Sequence, residues 1–235
     1  IESNRVTGAW GGGLGINRNS GNGEGIEGVR VEDCTIRFNS AAYGGGVQLQ
    51  GVATNVLRNC LVAHNVASAY AGGMIASVGQ VSPVGTTLEM ENCTLAGNQG
   101  LQASGSKVGG LQLNANSTNL IRNTVIFGNA VVGAGGYSNR LDSGVTVWER
   151  TCTTPAVAGA GNLAVPPGYL DADGGDSRLA SDSPCIDAGT HAAWMADARD
   201  RAGIAALLHE WEAWSVKAIK LEKYWERTPF PVEMA

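Results

Sequence analysis

Val31-Glu32-Asp33-Cys34-Thr35-Ile36, followed by Asn39, decides the fold of this chain, because the same phrase returns three more times. It reappears as Leu57-Arg58-Asn59-Cys60-Leu61-Val62 with Asn65, as Met90-Glu91-Asn92-Cys93-Thr94-Leu95 with Asn98, and as Ile121-Arg122-Asn123-Thr124-Val125-Ile126 with Asn129. The anchors Cys34, Cys60, Cys93 and Thr124 are spaced by 26, 33 and 31 residues, a period that marks a solenoid of stacked coils. Aligned on the anchor, the phrase becomes a set of columns. Val31, Leu57, Met90 and Ile121 form one apolar column and Ile36, Val62, Leu95 and Ile126 another; with the anchors they are the expected core rows. Asp33, Asn59, Asn92 and Asn123 precede the anchors. These residue types tolerate a left-handed backbone, so this column is a bend that resets the inward parity of the strand.

Two positions before the anchor the column reads Glu32, Arg58, Glu91, Arg122. Stacked rungs lie about 4.8 Å apart, so each Arg falls between carboxylates, as a structural ladder of exposed pairs worth about 0.2–1 kcal/mol each. A second motif, Gly45-Gly46-Val47-Gln48-Leu49, Gly72-Gly73-Met74-Ile75-Ala76 and Gly109-Gly110-Leu111-Gln112-Leu113, supplies another strand per coil. Its glycines are expected to allow a tight turn into the strand. The outward positions Gly15, Gln48, Ile75 and Gln112 carry no acid or base.

Composition agrees. The 235 residues are 43% hydrophobic but only 6% aromatic, with 34 glycines, which suits thin stacked β coils. Net charge is −5 without a basic cluster, so nucleic acid is not an expected partner. No apolar run approaches the roughly 20 residues of a membrane-spanning helix. The chain opens at Ile1 and reads as a segment of a longer product, with an uncapped first coil that could self-associate. The fold expected is all-β, a right-handed parallel β-helix over residues 1–190, right-handed because parallel crossovers take that hand.

This pattern resembles the right-handed parallel β-helix repeat proteins of bacteria, of the exported or surface type with a pectate-lyase-like superfold, from Gly11 to about Thr190. Cys152-Thr153-Thr154-Pro155, Gly161-Asn162-Leu163, Asp171-Ala172-Asp173-Gly174-Gly175-Asp176-Ser177-Arg178-Leu179 and Ser183-Pro184-Cys185-Ile186-Asp187-Ala188-Gly189 resemble the closing section of such proteins. The resemblance implies an extracellular or cell-surface location, and a disulfide between Cys152 and Cys185 would match an exported protein. It is lost after Asp200-Arg201-Ala202-Gly203. Residues 191–235 instead read as a helical C-terminal extension, an amphipathic α-helix from His191 to Arg227 stopped by Pro229 and Pro231, with Ile204, Leu207, Leu208, Trp211, Trp214, Ala218, Leu221 and Trp225 on one face. That helix is expected to pack on the last coil, or to serve self-association or a partner. An altered reading frame would also account for the abrupt change.

Chemistry is sparse. Asp171, Asp173 and Asp176 flank two glycines and form a weak calcium candidate, lacking the bidentate Glu of an EF-hand; a solvated loop is the plainer reading. No other cofactor is implied. His64, His191 and His209 share no ligand spacing, and His64 reads as a surface corner residue. No nucleophile motif is present. Arg30, Asp33, Arg140 and Asp142 could in principle join a catalytic group, though nothing in their spacing requires it. The function expected is a non-catalytic exported or cell-surface β-helix module that displays loops for adhesion or for binding a polysaccharide or cell-surface glycan. The alternative is a β-helical polysaccharide lyase or glycoside hydrolase, whose clustered acids must share one outer face.

Overall fold

The computed structural model describes residues 1–8, 10–17, 28–50, 54–77, 86–101, 108–115, 117–133 and 138–190. The expected C-terminal helix lies outside these. The described strands, numbered in chain order, stack into four parallel sheets. One sheet holds β1 (Leu14–Asn17), β5 (Val47–Gln50), β9 (Met74–Ser77), β13 (Leu111–Leu113) and β17 (Arg140–Asp142). A second holds β2 (Val29–Glu32), β6 (Thr54–Arg58), β10 (Thr86–Glu91), β14 (Ser117–Arg122) and β18 (Val145–Glu149). A third holds β3 (Thr35–Arg37), β7 (Leu61–Ala63), β11 (Thr94–Ala96), β15 (Val125–Phe127) and β19 (Cys152–Thr153). The fourth is built of very short strands, β4 (Ser40–Ala41), β8 (Val66–Ala67), β12 (Gln99–Leu101) and β16 (Ala130–Val132). A two-stranded antiparallel hairpin, β20 (Tyr169–Asp171) and β21 (Asp176–Leu179), completes the set. The described residues contain no helix long and apolar enough to cross a membrane.

Corners follow from residues that accept positive φ. Asp33, Asn59, Asn92 and Asn123 have φ of 53°, 51°, 53° and 47°, turning the second sheet into the third as the Asx column predicts. A second left-handed corner stands three residues after each strand of the third sheet begins, at Phe38, His64, Gly97 and Gly128. The next residue is Asn39, Asn65, Asn98 or Asn129, each 0% exposed. These four form a ladder. Asn65 Nδ2 donates to Asn98 Oδ1 (3.0 Å) and to Ile36 O (2.9 Å), Asn98 Nδ2 to Asn129 Oδ1 (2.9 Å) and Val62 O (2.8 Å), so each amide binds the coil above and the coil below. Asn139, at the start of β17, ends the ladder by accepting from Asn129, and Thr154 caps it (2.8 Å).

The expected core rows are inward and buried: Leu57, Met90, Ile121, Ile36, Val62, Leu95 and Ile126 are all fully enclosed, and Cys60 and Cys93 are buried free thiols beside them. A fifth copy of the phrase, Trp148-Glu149-Arg150-Thr151-Cys152-Thr153, pairs in register with the fourth, with Arg150 at φ 46°. The glycine pairs have a different cause from the one expected. Gly45, Gly72 and Gly109 do not adopt positive φ; a Cβ at Gly72 would lie 2.3 Å from Gln99 O, and one at Gly45 2.4 Å from Val66 O. They are small because the backbone of the next coil passes directly over them. The outward Gln48, Ile75 and Gln112 are buried on the outside as well, Ile75 in a small cluster with Ala71, Val108 and Leu141.

The closing section lies along the third sheet rather than across the end of the coil. Phe127, Val125 and Cys152 on its outer face pack with Leu163, Tyr169, Leu179, Cys185 and Ala188. Thr190 is clamped by Asn123, donating its N–H to Asn123 Oδ1 (2.9 Å). Val157 closes the main core near Trp148.

Candidate binding face

The outer surface of the short-strand sheet is where the fold concentrates recognisable features. Ser40, Val66, Gln99 and Ala130 are register partners, and Arg5 bridges to Ser40, so these five side chains form one outward column from the first coil to the last. Their neighbours Ala41, Ala67, Gly100 and Val131 point inward and are buried. A shallow depression of about 250 Å³ runs over the first coils, lined by Arg5, Thr7, Ser40, Ala42, Val66 and Ser68 among others. The floor is flat because its side chains are small.

Aromatic rings stand along both borders of this floor. Beyond the sheet, Trp10, Tyr43 and Tyr70 stack in successive coils, with ring centroids 4.4 Å and 5.1 Å apart, and Trp10 and Tyr70 remain 39% exposed. On the opposite border the corner column begins with Phe38 stacked on His64 (5.4 Å), and Arg37 lies 5.5 Å from the centre of the Phe38 ring. Here the side chains stop. The next two corner residues are Gly97, whose Cβ would strike the His64 ring at 2.4 Å, and Gly128, around which nothing lies within 4 Å.

The hairpin roofs the space left by those glycines. A cavity of about 190 Å³ lies between His64, Gly97, Gln99, Gly128 and Ala130 on the coil and Tyr169, Ala172, Asp173 and Ser177 on the hairpin. Behind its walls, Tyr169 Oη is buried near the Cys152 and Cys185 thiols with no hydrogen-bond partner among the described residues, and His64 Nε2 is buried toward the Gly175 main chain. Burial pushes the His64 pKa down, more than the nearby Gly175 main chain raises it, with Arg37 adding repulsion. Burial pushes the Tyr169 phenol well up, so it stays a neutral donor.

The residues singled out from sequence are dispersed. Asp171 Oδ1 accepts from Gly174 N–H (2.8 Å) and shapes the hairpin turn; Asp176 is held by a fork from Arg178 (2.6–3.0 Å), which lowers its pKa; only Asp173 faces the cavity. Among the described residues no three His, Cys, Asp or Glu side chains are grouped as ligands. Cys152 and Cys185 are both free, buried and in hydrogen-bonding contact; the Cys185 thiol lowers the pKa of Cys152 and is itself raised by it. Arg30 pairs with Glu32 (2.9 Å), Asp33 accepts from Asn59 (2.9 Å), Arg140 lies over Trp148 (5.2 Å) and Asp142 accepts from Gly144 N–H (3.0 Å). These four do not converge. The charge ladder forms, but its centre is buried rather than exposed: Arg58 bonds Glu91 (2.9 Å) and approaches Glu32 (3.6 Å) and Glu89 (3.9 Å), and Arg122 forms an ion pair with Glu91 (2.6 Å). Glu91, 2% exposed, is thus ion-paired on both sides.

The floor and its borders were missed in the sequence, although a signal was there. An aromatic residue stands two places before each glycine pair in Trp10-Gly11-Gly12-Gly13, Tyr43-Gly44-Gly45-Gly46 and Tyr70-Ala71-Gly72-Gly73. Comparison with known families gives a match to the right handed beta helix region over residues 1–154. No curated protein and no solved structure matches the chain.

Proposed function

We propose that this chain, which belongs to the right-handed β-helix family, is a non-catalytic module that holds a glycan chain along its short-strand face and works outside the cell. The observation that carries the reading is the exposed Trp10–Tyr43–Tyr70 stack bordering a flat floor of small side chains. Sugars offer apolar C–H faces and hydroxyl rims, and partly exposed aromatic rings with one apolar side and one wet side suit both. The described floor residues Ser40, Ala42, Val66, Ser68, Gln99, Leu101 and Ala130 include no carboxylate. Hydrolysis needs two carboxyls, one of which keeps a proton. The acidic group Glu32, Glu89 and Glu91 is instead tied up by Arg58 and Arg122.

The test is titration calorimetry against soluble neutral and acidic polysaccharides, with mass spectrometry of the same mixtures. Binding without new fragments is expected, weakened about tenfold, or about 1.4 kcal/mol, in Trp10→Ala or Tyr70→Ala. Fragments with new ends would establish the lyase or hydrolase alternative, and binding untouched by both variants would move the site off this face.

A further inference from the structure

We infer that residues 204–225 of this chain dock on the outer face of the second sheet at its last two coils, covering Leu120, Val145 and Val147. Ile121 and Trp148 point into the core, so by strand alternation Leu120 and Arg122 of β14 and Val145, Val147 and Glu149 of β18 point out, with Leu120 opposite Val147 and Arg122 opposite Glu149. Val145 is 71% exposed, the highest value of any large apolar side chain among the described residues, and Val147 is 52% exposed. β18 is also the terminal strand of its sheet, with one edge free of any described strand. An apolar face beside an open edge is a liability that folded chains cover. The charge next to it is open too. Arg122 is committed to Glu91 (2.6 Å), which leaves Glu149, the last rung of the ladder, with no ion pair among the described residues. The face therefore fits an occupant that brings an apolar stripe and a cation.

The course of the chain argues for its own C-terminal segment. Cys185 and Ala188 pack on the outside of the third sheet. Thr190 is then held at the corner between that sheet and the second, accepting from Asn123 Nδ2 (2.6 Å) and donating its N–H to Asn123 Oδ1 (2.9 Å). Asn123 follows Arg122 at the end of β14, so the next surface in the direction of travel is the outer face of β14 and β18. Residues 191–203 can span about 43 Å at about 3.3 Å each, against about 17 Å for the length of β18. Reach is no obstacle. The stretch that follows carries Ile204, Leu207, Leu208, Trp211 and Trp214 at three- and four-residue steps, and supplies cations at Lys217, Lys220 and Lys223. A second copy fits less well: three side chains fall far short of the roughly 1,200 Å² of a stable interface between separate chains, whereas a segment tethered at Thr190 docks at a high effective concentration.

The test places a photoreactive benzoylphenylalanine at Val147 of the full chain and maps its cross-links by peptide mass spectrometry, while trypsin cleavage after Lys217, Lys220 and Lys223 is timed in parallel. Cross-links within one chain to residues 204–225 are expected. Val147→Asp changes an outward position and leaves the core rows intact; it is expected to speed those cleavages at least about tenfold with unchanged far-ultraviolet circular dichroism, because cleavage follows the population of the released segment. Leu170→Asp, at an exposed apolar residue of the hairpin, is expected to leave the cleavages as they are. Cross-links to a second copy, or only to residues before 191, would overturn the assignment. So would equal cleavage rates in the wild-type chain and Val147→Asp, or an equal acceleration by Leu170→Asp.

Discussion

Replacing Asn98 by alanine tests whether the internal asparagine ladder holds the coils in register. The Asn98 side chain accepts from Asn65 N–H (3.0 Å) and Asn65 Nδ2 (3.0 Å) and donates to Val62 O (2.8 Å) and Asn129 Oδ1 (2.9 Å). It is 0% exposed, so water does not replace those partners. At about 1 kcal/mol net for each bond, the loss is about 4 kcal/mol, a large part of the 5–15 kcal/mol that keeps a domain folded. Asn39→Ala is the internal control. Its side chain donates to Asn65 Oδ1 (3.0 Å) in the interior, but its other partners, Asn4 and Ile1, lie in partly buried surroundings at the first coil, where solvent can restore some bonds, so about 2 kcal/mol is expected there. Urea unfolding followed by far-ultraviolet circular dichroism gives both values from the midpoints, provided the slope is unchanged. A loss below about 1 kcal/mol for Asn98→Ala, or one no greater than for Asn39→Ala, would refute the view that the ladder is a main source of stability.

Three further outcomes are expected. Gly72→Ala brings a Cβ to 2.3 Å from Gln99 O, against backbone that no rotamer change can relieve, and should cost about 3 kcal/mol or more; Gly128→Ala meets no atom within 4 Å and should cost only its left-handed strain, about 1–2 kcal/mol. Equal melting-temperature losses in the two variants would contradict the close-approach explanation. On acidification the unfolded chain protonates His64 near its ordinary value of 6.5 while the folded chain resists, so stability falls as pH drops below 6.5 and levels off below the depressed folded value. His64→Gln should abolish that step in a denaturation-versus-pH series but keep the separate loss below about 3.8, where Asp176 gives up its Arg178 fork. Oxidation should join Cys152 to Cys185 and raise stability by roughly 3–4 kcal/mol; intact mass under non-reducing conditions reads the bond, and an oxidised protein with both thiols still alkylatable would count against it.

The core was legible because stacking repeats it. Leu57, Met90 and Ile121 must align when coils stack, and alternating Glu32, Arg58, Glu91 and Arg122 can belong only to neighbouring rungs. The fifth phrase was hidden because three columns change at once: Trp148 replaces an aliphatic, Arg150 an Asx and Thr153 the aliphatic of the second apolar column. Its ladder asparagine is also out of place, supplied by Asn139 from the start of β17. The glycine pairs were visible, but a sequence shows that a side chain is missing and not what lies in its place. The candidate face was the least legible part. Its strands are two or three residues long, and its outward column, Ser40, Val66, Gln99 and Ala130, has no common chemistry, because nothing in the stacking selects it.

That lack of selection bears on where binding can arise. A column that stacks well is satisfied by its own neighbours: each ladder amide is used on both sides, Glu91 has an Arg above and below, and the inward rows fill the coil. Such columns have nothing left to offer a ligand. Free space is expected where a column is interrupted, and the Phe38, His64, Gly97, Gly128 corner is interrupted abruptly. The closing hairpin roofs part of that interruption and leaves a half-open space of about 190 Å³ beside it. Specificity in this fold is therefore expected to change with the corner residues and the hairpin turn, while the ladders and inward rows stay the same.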